Sequence, residues 1–184
     1  MARPRAETRR TRPMTTRKTR LIWTLPILAA TALFGWRYAN GSTRPHTPET
    51  VKAMRFAPYA QQKAVYHVTE GSGLIGHGRY RNLLQIARNH LQAVGVGRLD
   101  LRVVLQGEGV ELLELAKSDS DLAVRIDALK RDGVRFLICR NTIMGRDLDP
   151  AELYGVTAED IVPAGIAEAT SLVQQGYVYL KPLG

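Results

Sequence analysis

The chain has 184 residues, 45% of them hydrophobic and 23% charged, with a formal charge of +9 and a pI near 10.0. That apolar fraction can bury a core, which excludes global disorder, and the length past the first sixty residues fits one ordinary domain. The charge does not indicate a nucleic-acid partner: up to Gln62 there are twelve Lys or Arg against Glu7 and Glu49, whereas Lys63 to Gly184 carries fourteen basic and fifteen acidic residues, so the excess lies in the leader and not in a patch on a fold.

Residues 1–20 hold eight of the basic residues, and Leu21 to Trp36 (LIWTLPILAATALFGW) is a run of sixteen residues without a charge, closed by Arg37. This order is expected of a signal peptide or transmembrane anchor, residues 21–36 contacting the membrane. A core helix would show a polar face, and this run has none. The basic side faces the cytoplasm, so the domain is expected on the outer side of the cytoplasmic membrane, anchored there or secreted to the periplasm. Ala30-Thr31-Ala32 matches a cleavage site but lies inside the apolar run, which favours an uncleaved anchor and leaves a cleaved signal open. Met14 begins a compact charged stretch, MTTRKTR, and is a candidate start. Residues 37–62, with Gly41, Ser42, Pro45, Pro48 and Pro58 and no sustained period, read as a linker.

Residues 63–182 read as the domain. Lys63 to Thr69 is a β-branched and aromatic run bounded by Gly71 and Gly73, the expected first strand. Arg79 to Val94 repeats apolar residues at three and four (Leu83, Leu84, Ile86, Ala87, Leu91, Val94) and stops at Gly95, a helix with its C-cap. Leu99 to Leu105 is a second strand ahead of Gly107 and Gly109, followed by helices over Val110–Ala116 and Asp121–Arg131. Val134 to Cys139 is almost continuously apolar, as a strand buried on both faces of a parallel sheet requires. A short helical segment near Pro150–Tyr154, a strand at Asp160–Val162, a helix at Gly165–Gln175 and a strand at Tyr177–Leu180 complete the order. The alternation predicts an α/β fold: an open, mostly parallel five-stranded sheet with helices on both faces and right-handed crossovers. In such sheets the working crevice lies beyond the carboxyl ends of the strands, here the loops Glu70–Gly78, Gln106–Gly109, Cys139–Arg146 and Pro163–Gly165.

Few residues on those loops carry chemistry. Gly71-x-Gly73-x-x-Gly76 has the spacing of a dinucleotide loop, but Leu74-Ile75 interrupts the turn and no acidic residue closes the second strand, so a flexible loop is the better reading. Cys139 is the only cysteine. It excludes an internal disulfide and a cysteine-only metal site, and the four histidines lack the paired spacing of zinc ligands; no metal or cofactor is expected. A lone Cys ending an apolar strand is most often packing. Its position is also where a strand delivers a side chain into the crevice, and a thiolate there could be favoured by Arg140 and nearby backbone N–H groups. Asn141 and Thr142 could hydrogen-bond an anionic sulfur or simply form the turn. His67, inside the first strand, reads as a hydrogen-bonded core histidine, and Glu168 as a first-turn carboxylate favoured by its helix dipole.

Taken together, His67 in the first strand, Val103-Val104-Leu105-Gln106-Gly107-x-Gly109-Val110, Phe136-x-x-Cys139-x-Asn141-Thr142, Val162-Pro163-Ala164-Gly165-Ile166-Ala167-Glu168 and the closing Gln175-Gly176-Tyr177-x-Tyr179-x-Lys181-Pro182 resemble the DsrE/DsrF-like family, from about Lys63 to Pro182. The resemblance implies a flavodoxin-like layered fold and homo-oligomers, trimers or hexamers. It also implies a cysteine after a central strand that carries a persulfide between a sulfur donor and an acceptor protein. Cys139 stands at that position, with Asn141, Thr142, Gly107, Gly109 and Gly165 expected around the sulfur. The expectation is therefore an exported or membrane-anchored sulfur carrier or sulfurtransferase. The alternative is a non-catalytic oligomeric binding or scaffold domain in which Cys139 is packing. The family's sulfur-relay members work in the cytoplasm, so the export signal is a departure from them.

Overall fold

The structure, a computed structural model, describes residues 48–73 and 76–183. The expected anchor at 21–36 lies outside the described residues; among them no helix is long and apolar enough to cross a membrane. The chain divides into one unit ending at Arg55 and a second from Phe56 onward. In the first, the stretch expected to be a featureless linker contains a short helix, α1 (Pro48–Ala53), with Glu49 in its first turn and Lys52 in its last, the arrangement a helix dipole favours.

The second unit is built from β1 (Gln62–Val68), α2 (His77–Val94), β2 (Leu99–Leu105), a 3₁₀ turn (Gly107–Val110), α3 (Glu111–Leu115), α4 (Ser120–Arg131) and β3 (Arg135–Cys139). There follow α5 (Arg140–Gly145), 3₁₀ turns at Pro150–Glu152 and Ala158–Asp160, β4 (Ile161–Val162), α6 (Gly165–Gln174) and β5 (Val178–Leu180). The five strands lie in the order β4-β3-β2-β1-β5 and every pairing is parallel, so the predicted layered α/β fold is the one observed.

Strand order and handedness together decide which face each helix covers. From β1 to β4 the chain steps in one direction, so right-handed crossovers put α2 and α4 on a single face. The connection from β4 to β5 runs back across the sheet, and α6 falls on the other. The cores follow that division and the two-residue alternation of strands. Tyr66, Val68, Val103 and Phe136 pack with Leu83, Leu91, Ile126 and Leu129 on one face, while Val65, Val104 and Leu137 pack with Ala169 and Leu172 of α6 on the other. Because the chain leaves β3 toward one face and β4 toward the opposite one, the crevice between their carboxyl ends is the topological switch point. Cys139 and its register partner Val162 are the last residues of those two strands.

Two further features hold the loops at this end. Gly109 approaches β1 so closely that a Cβ on it would stand 2.2 Å from the Val68 carbonyl oxygen, which accounts for glycine at that position. At the start of the loop that follows β1, the Glu111 carboxylate takes up the Ser72 donors: it accepts the backbone N–H at 2.7 Å and the hydroxyl at 2.8 Å. Three local expectations differ from the structure. The helix read over Val110–Ala116 divides into a 3₁₀ turn and α3, the Pro150–Tyr154 segment is a single 3₁₀ turn, and α5 occupies the loop expected after Cys139. Each is too short for apolar periodicity to define it.

Candidate functional site around Cys139

Cys139 has extended backbone geometry and is the N-cap residue of α5, so the chain turns sharply at the sulfur and aims the next backbone N–H groups back at it. The side chain is 3% exposed. Burial alone would push its thiol upward, but the backbone N–H of Gly165, the Thr142 hydroxyl and the N–H groups of Thr142 and Asn141 outweigh it and hold the thiol below its ordinary value. Gly165 opens the ten-residue helix α6, whose N-terminal dipole adds to the stabilisation of a negative sulfur. Converging donors are what lowers a cysteine's pKa, while burial as deep as this is shared with structural cysteines.

Thr142 is itself held in place, because its hydroxyl oxygen accepts the Gly107 N–H at 2.9 Å and is left with its proton for the sulfur. The Gly107 carbonyl accepts from Arg146 Nη1 at 3.2 Å, and Arg146 Nη2 pairs with Glu114 at 3.1 Å. Gly107 thus serves the sulfur through Thr142 and not with its own N–H. Gly109 packs on the β1 backbone instead, and Asn141 brings its backbone N–H. Of the residues expected around the sulfur, Thr142, Asn141 and Gly165 converge on it, Gly107 stands one bond behind, and Gly109 belongs to the wall of the fold.

The structure adds three residues that the sequence reading had not assigned to the site. A Cβ on Gly165 would stand 2.6 Å from Gln106 Oε1, 3.1 Å from Gln106 Cβ and 3.3 Å from Cys139 Cβ, so Gln106 and Cys139 flank the same glycine. Gln106 Oε1 lies 3.2 Å from His67 Nε2, and His67 Nδ1 lies 2.8 Å from the Tyr179 hydroxyl. His67 is, as expected, a buried and fully hydrogen-bonded histidine, and its partners lead to the cysteine. At the rim Lys181 pairs with Glu70 at 2.9 Å. Glu70 loses some of its acidity to burial, yet the Lys181 ammonium and the Thr69 and Glu70 backbone N–H groups hold its carboxyl down at about 2. Among the described residues no group of three or more His, Cys, Asp or Glu side chains is placed to hold a metal ion.

The protein of unknown function MTH1491 from Methanobacterium thermoautotrophicum has a similar solved structure, with a TM-score of 0.54 and 25% identity over 66% of this chain and 99% of that one. Among curated proteins none matches. The DsrE/DsrF-like family model matches residues 43–182, which takes in every strand of the sheet and every residue that converges on Cys139, and the chain belongs to that family.

Proposed function

We propose that this protein is a sulfur carrier in which Cys139 holds sulfane sulfur as a persulfide. The observation that supports it most is the convergence of four donors on one thiol that burial would otherwise keep protonated. The thiolate attacks the outer sulfur of a sulfane donor. A bond forms from Cys139 Sγ to that sulfur, the bond to the donor breaks, and the donor leaves with the electron pair. Transfer onward is the reverse: an acceptor thiolate takes the outer sulfur and Cys139 departs as thiolate. No external oxidant or reductant is consumed. The persulfide anion formed is stabilised by the same N–H and hydroxyl groups as the thiolate.

The export signal read in residues 21–36 and the self-association implied by the family belong to the same proposal. In support of self-association, among the described residues β5 has no strand on its outer side and Val178 and Leu180 are exposed, and open edges invite pairing. One observation favours the scaffold reading, the 3% exposure of Cys139. Cys139→Ser separates the two. As a carrier, the variant takes up no sulfur and keeps its fold; as a scaffold, the wild type takes up none either and the variant shows only a stability change of about 1 kcal/mol.

A further inference from the structure

We infer that Gln106 is a positioning residue for Cys139, held by His67 and Tyr179 so that its side chain fixes the Gly165 end of α6 against the sulfur. The inference rests on the sulfur-carrier reading for its purpose, but it concerns side chains that the transfer step does not use. Tyr179, His67 and Gln106 lie on or just beyond β5, β1 and β2, three neighbours in the sheet, and form one hydrogen-bonded row toward β3. The Gln106 end of the row has a fixed direction. Gln106 Oε1 can only accept, so His67 Nε2 carries a proton and donates to it, and Nδ1 is paired with the Tyr179 hydroxyl. Both ring nitrogens of the histidine are satisfied, at 4% exposure.

The far end of the row meets the cysteine through a gap only glycine leaves. The volume a Cβ would take on Gly165 is already filled by Gln106 on one side and Cys139 on the other. Any movement of Gln106 into or out of that gap moves the turn that presents the Gly165 N–H. Deleting a partner upstream leaves a buried ring nitrogen unsatisfied, which costs more than the bond itself and is relieved by rotation of the ring and release of the amide. The row therefore ties the sulfur's donor geometry to β5 at the sheet edge, where Tyr179 is 41% exposed.

The test uses the full-length chain and two variants, Gln106→Leu and Tyr179→Phe, the second removing a single oxygen from a residue at the sheet edge. The pH dependence of Cys139 alkylation by iodoacetamide is followed by intact mass, and sulfur uptake from a sulfane donor is read on the same samples. Expected is a shift of both variants' alkylation profiles to higher pH, with alkylation at neutral pH about three- to tenfold slower and the alkaline plateau unchanged, since each unit of thiol pKa is tenfold in thiolate. A purely structural role would change the plateau and leave the midpoint. Folded variants whose midpoints coincide with that of the wild type overturn the inference, even when wild-type Cys139 takes up sulfur. Shifted midpoints with no uptake by the wild type overturn the carrier reading and leave the positioning role standing.

Discussion

At Cys139 two opposed effects meet within a few ångströms. Burial disfavours the thiolate; the Gly165 N–H, the Thr142 hydroxyl and the N–H groups of Thr142 and Asn141 favour it and prevail. Thr142 has a double place in that balance, since its hydroxyl also accepts the Gly107 N–H. Thr142→Val is therefore expected to raise the thiol pKa and to leave the Gly107 N–H unpaired, slowing neutral-pH alkylation and costing about 1–3 kcal/mol of stability; denaturant titration beside the alkylation profile checks both. The pH dependence has a defined sign. A thiol held below its ordinary value contributes stability that is complete above that value and is lost as pH falls through the folded one. The variant loses part of that slope. Cys139, Asn141 and Thr142 were legible in the sequence because they adjoin one another at the end of an apolar strand. Gln106 and Tyr179 were not, because Gln106 meets the cysteine across Gly165 on another element and Tyr179 connects to it only through His67, 112 residues away, and no local pattern records so distant a contact.

Among the elements, the strands were read almost to the residue: Leu99–Leu105 was delimited as observed, and β3 begins one residue later than expected. Continuous apolar runs between glycines define buried parallel strands well. The α5 turn was missed, because Arg140-Asn141-Thr142-Ile143-Met144-Gly145 is a single turn and a half whose identity comes from its place after the strand. The helix α2 is anchored from inside the core by Tyr80, whose hydroxyl shares its proton among the Glu70 and Glu108 carbonyls and Glu111 Oε2 at 3.0–3.2 Å. Burial and the neighbouring Glu111 carboxylate push that phenol well above its usual value. Tyr80→Phe leaves those acceptors short of a donor and should lower stability by about 1–3 kcal/mol in denaturant titration. At the other side of the crevice, Gly165→Ala introduces a Cβ at 2.6 Å from Gln106 Oε1. Overpacking of this kind costs about 1–3 kcal/mol, and the variant should also load less sulfur than wild type.

For the whole molecule, charge is divided between a basic N-terminal stretch and a near-neutral remainder, which is why the overall pI says little about the fold's partners. Within the domain the C-terminal strand is tied to the crevice by Lys181 and Glu70. A carboxyl held down at about 2 from an ordinary 4.5 contributes stability above the ordinary value that is lost as pH falls through the folded one. Melting temperatures should therefore decline across that acidic window, and decline less steeply in Lys181→Met, where the partner charge is gone. Strand order was beyond the sequence reading, since alternation specifies layers and crossover hand but not which edge β5 joins. That choice, with β5 beyond β1, creates the reversal between β3 and β4 that makes Cys139 the centre of the crevice.

Intact mass of the full-length protein before and after exposure to a sulfane-sulfur donor, with cyanide added last, tests the carrier function most directly. The account predicts a gain of one sulfur atom that maps to Cys139, is removed by cyanide and is absent in Cys139→Ser. A wild-type mass that does not change, with Cys139 alkylating slowly in the native protein and readily once unfolded, would contradict it and leave Cys139 as a packing residue.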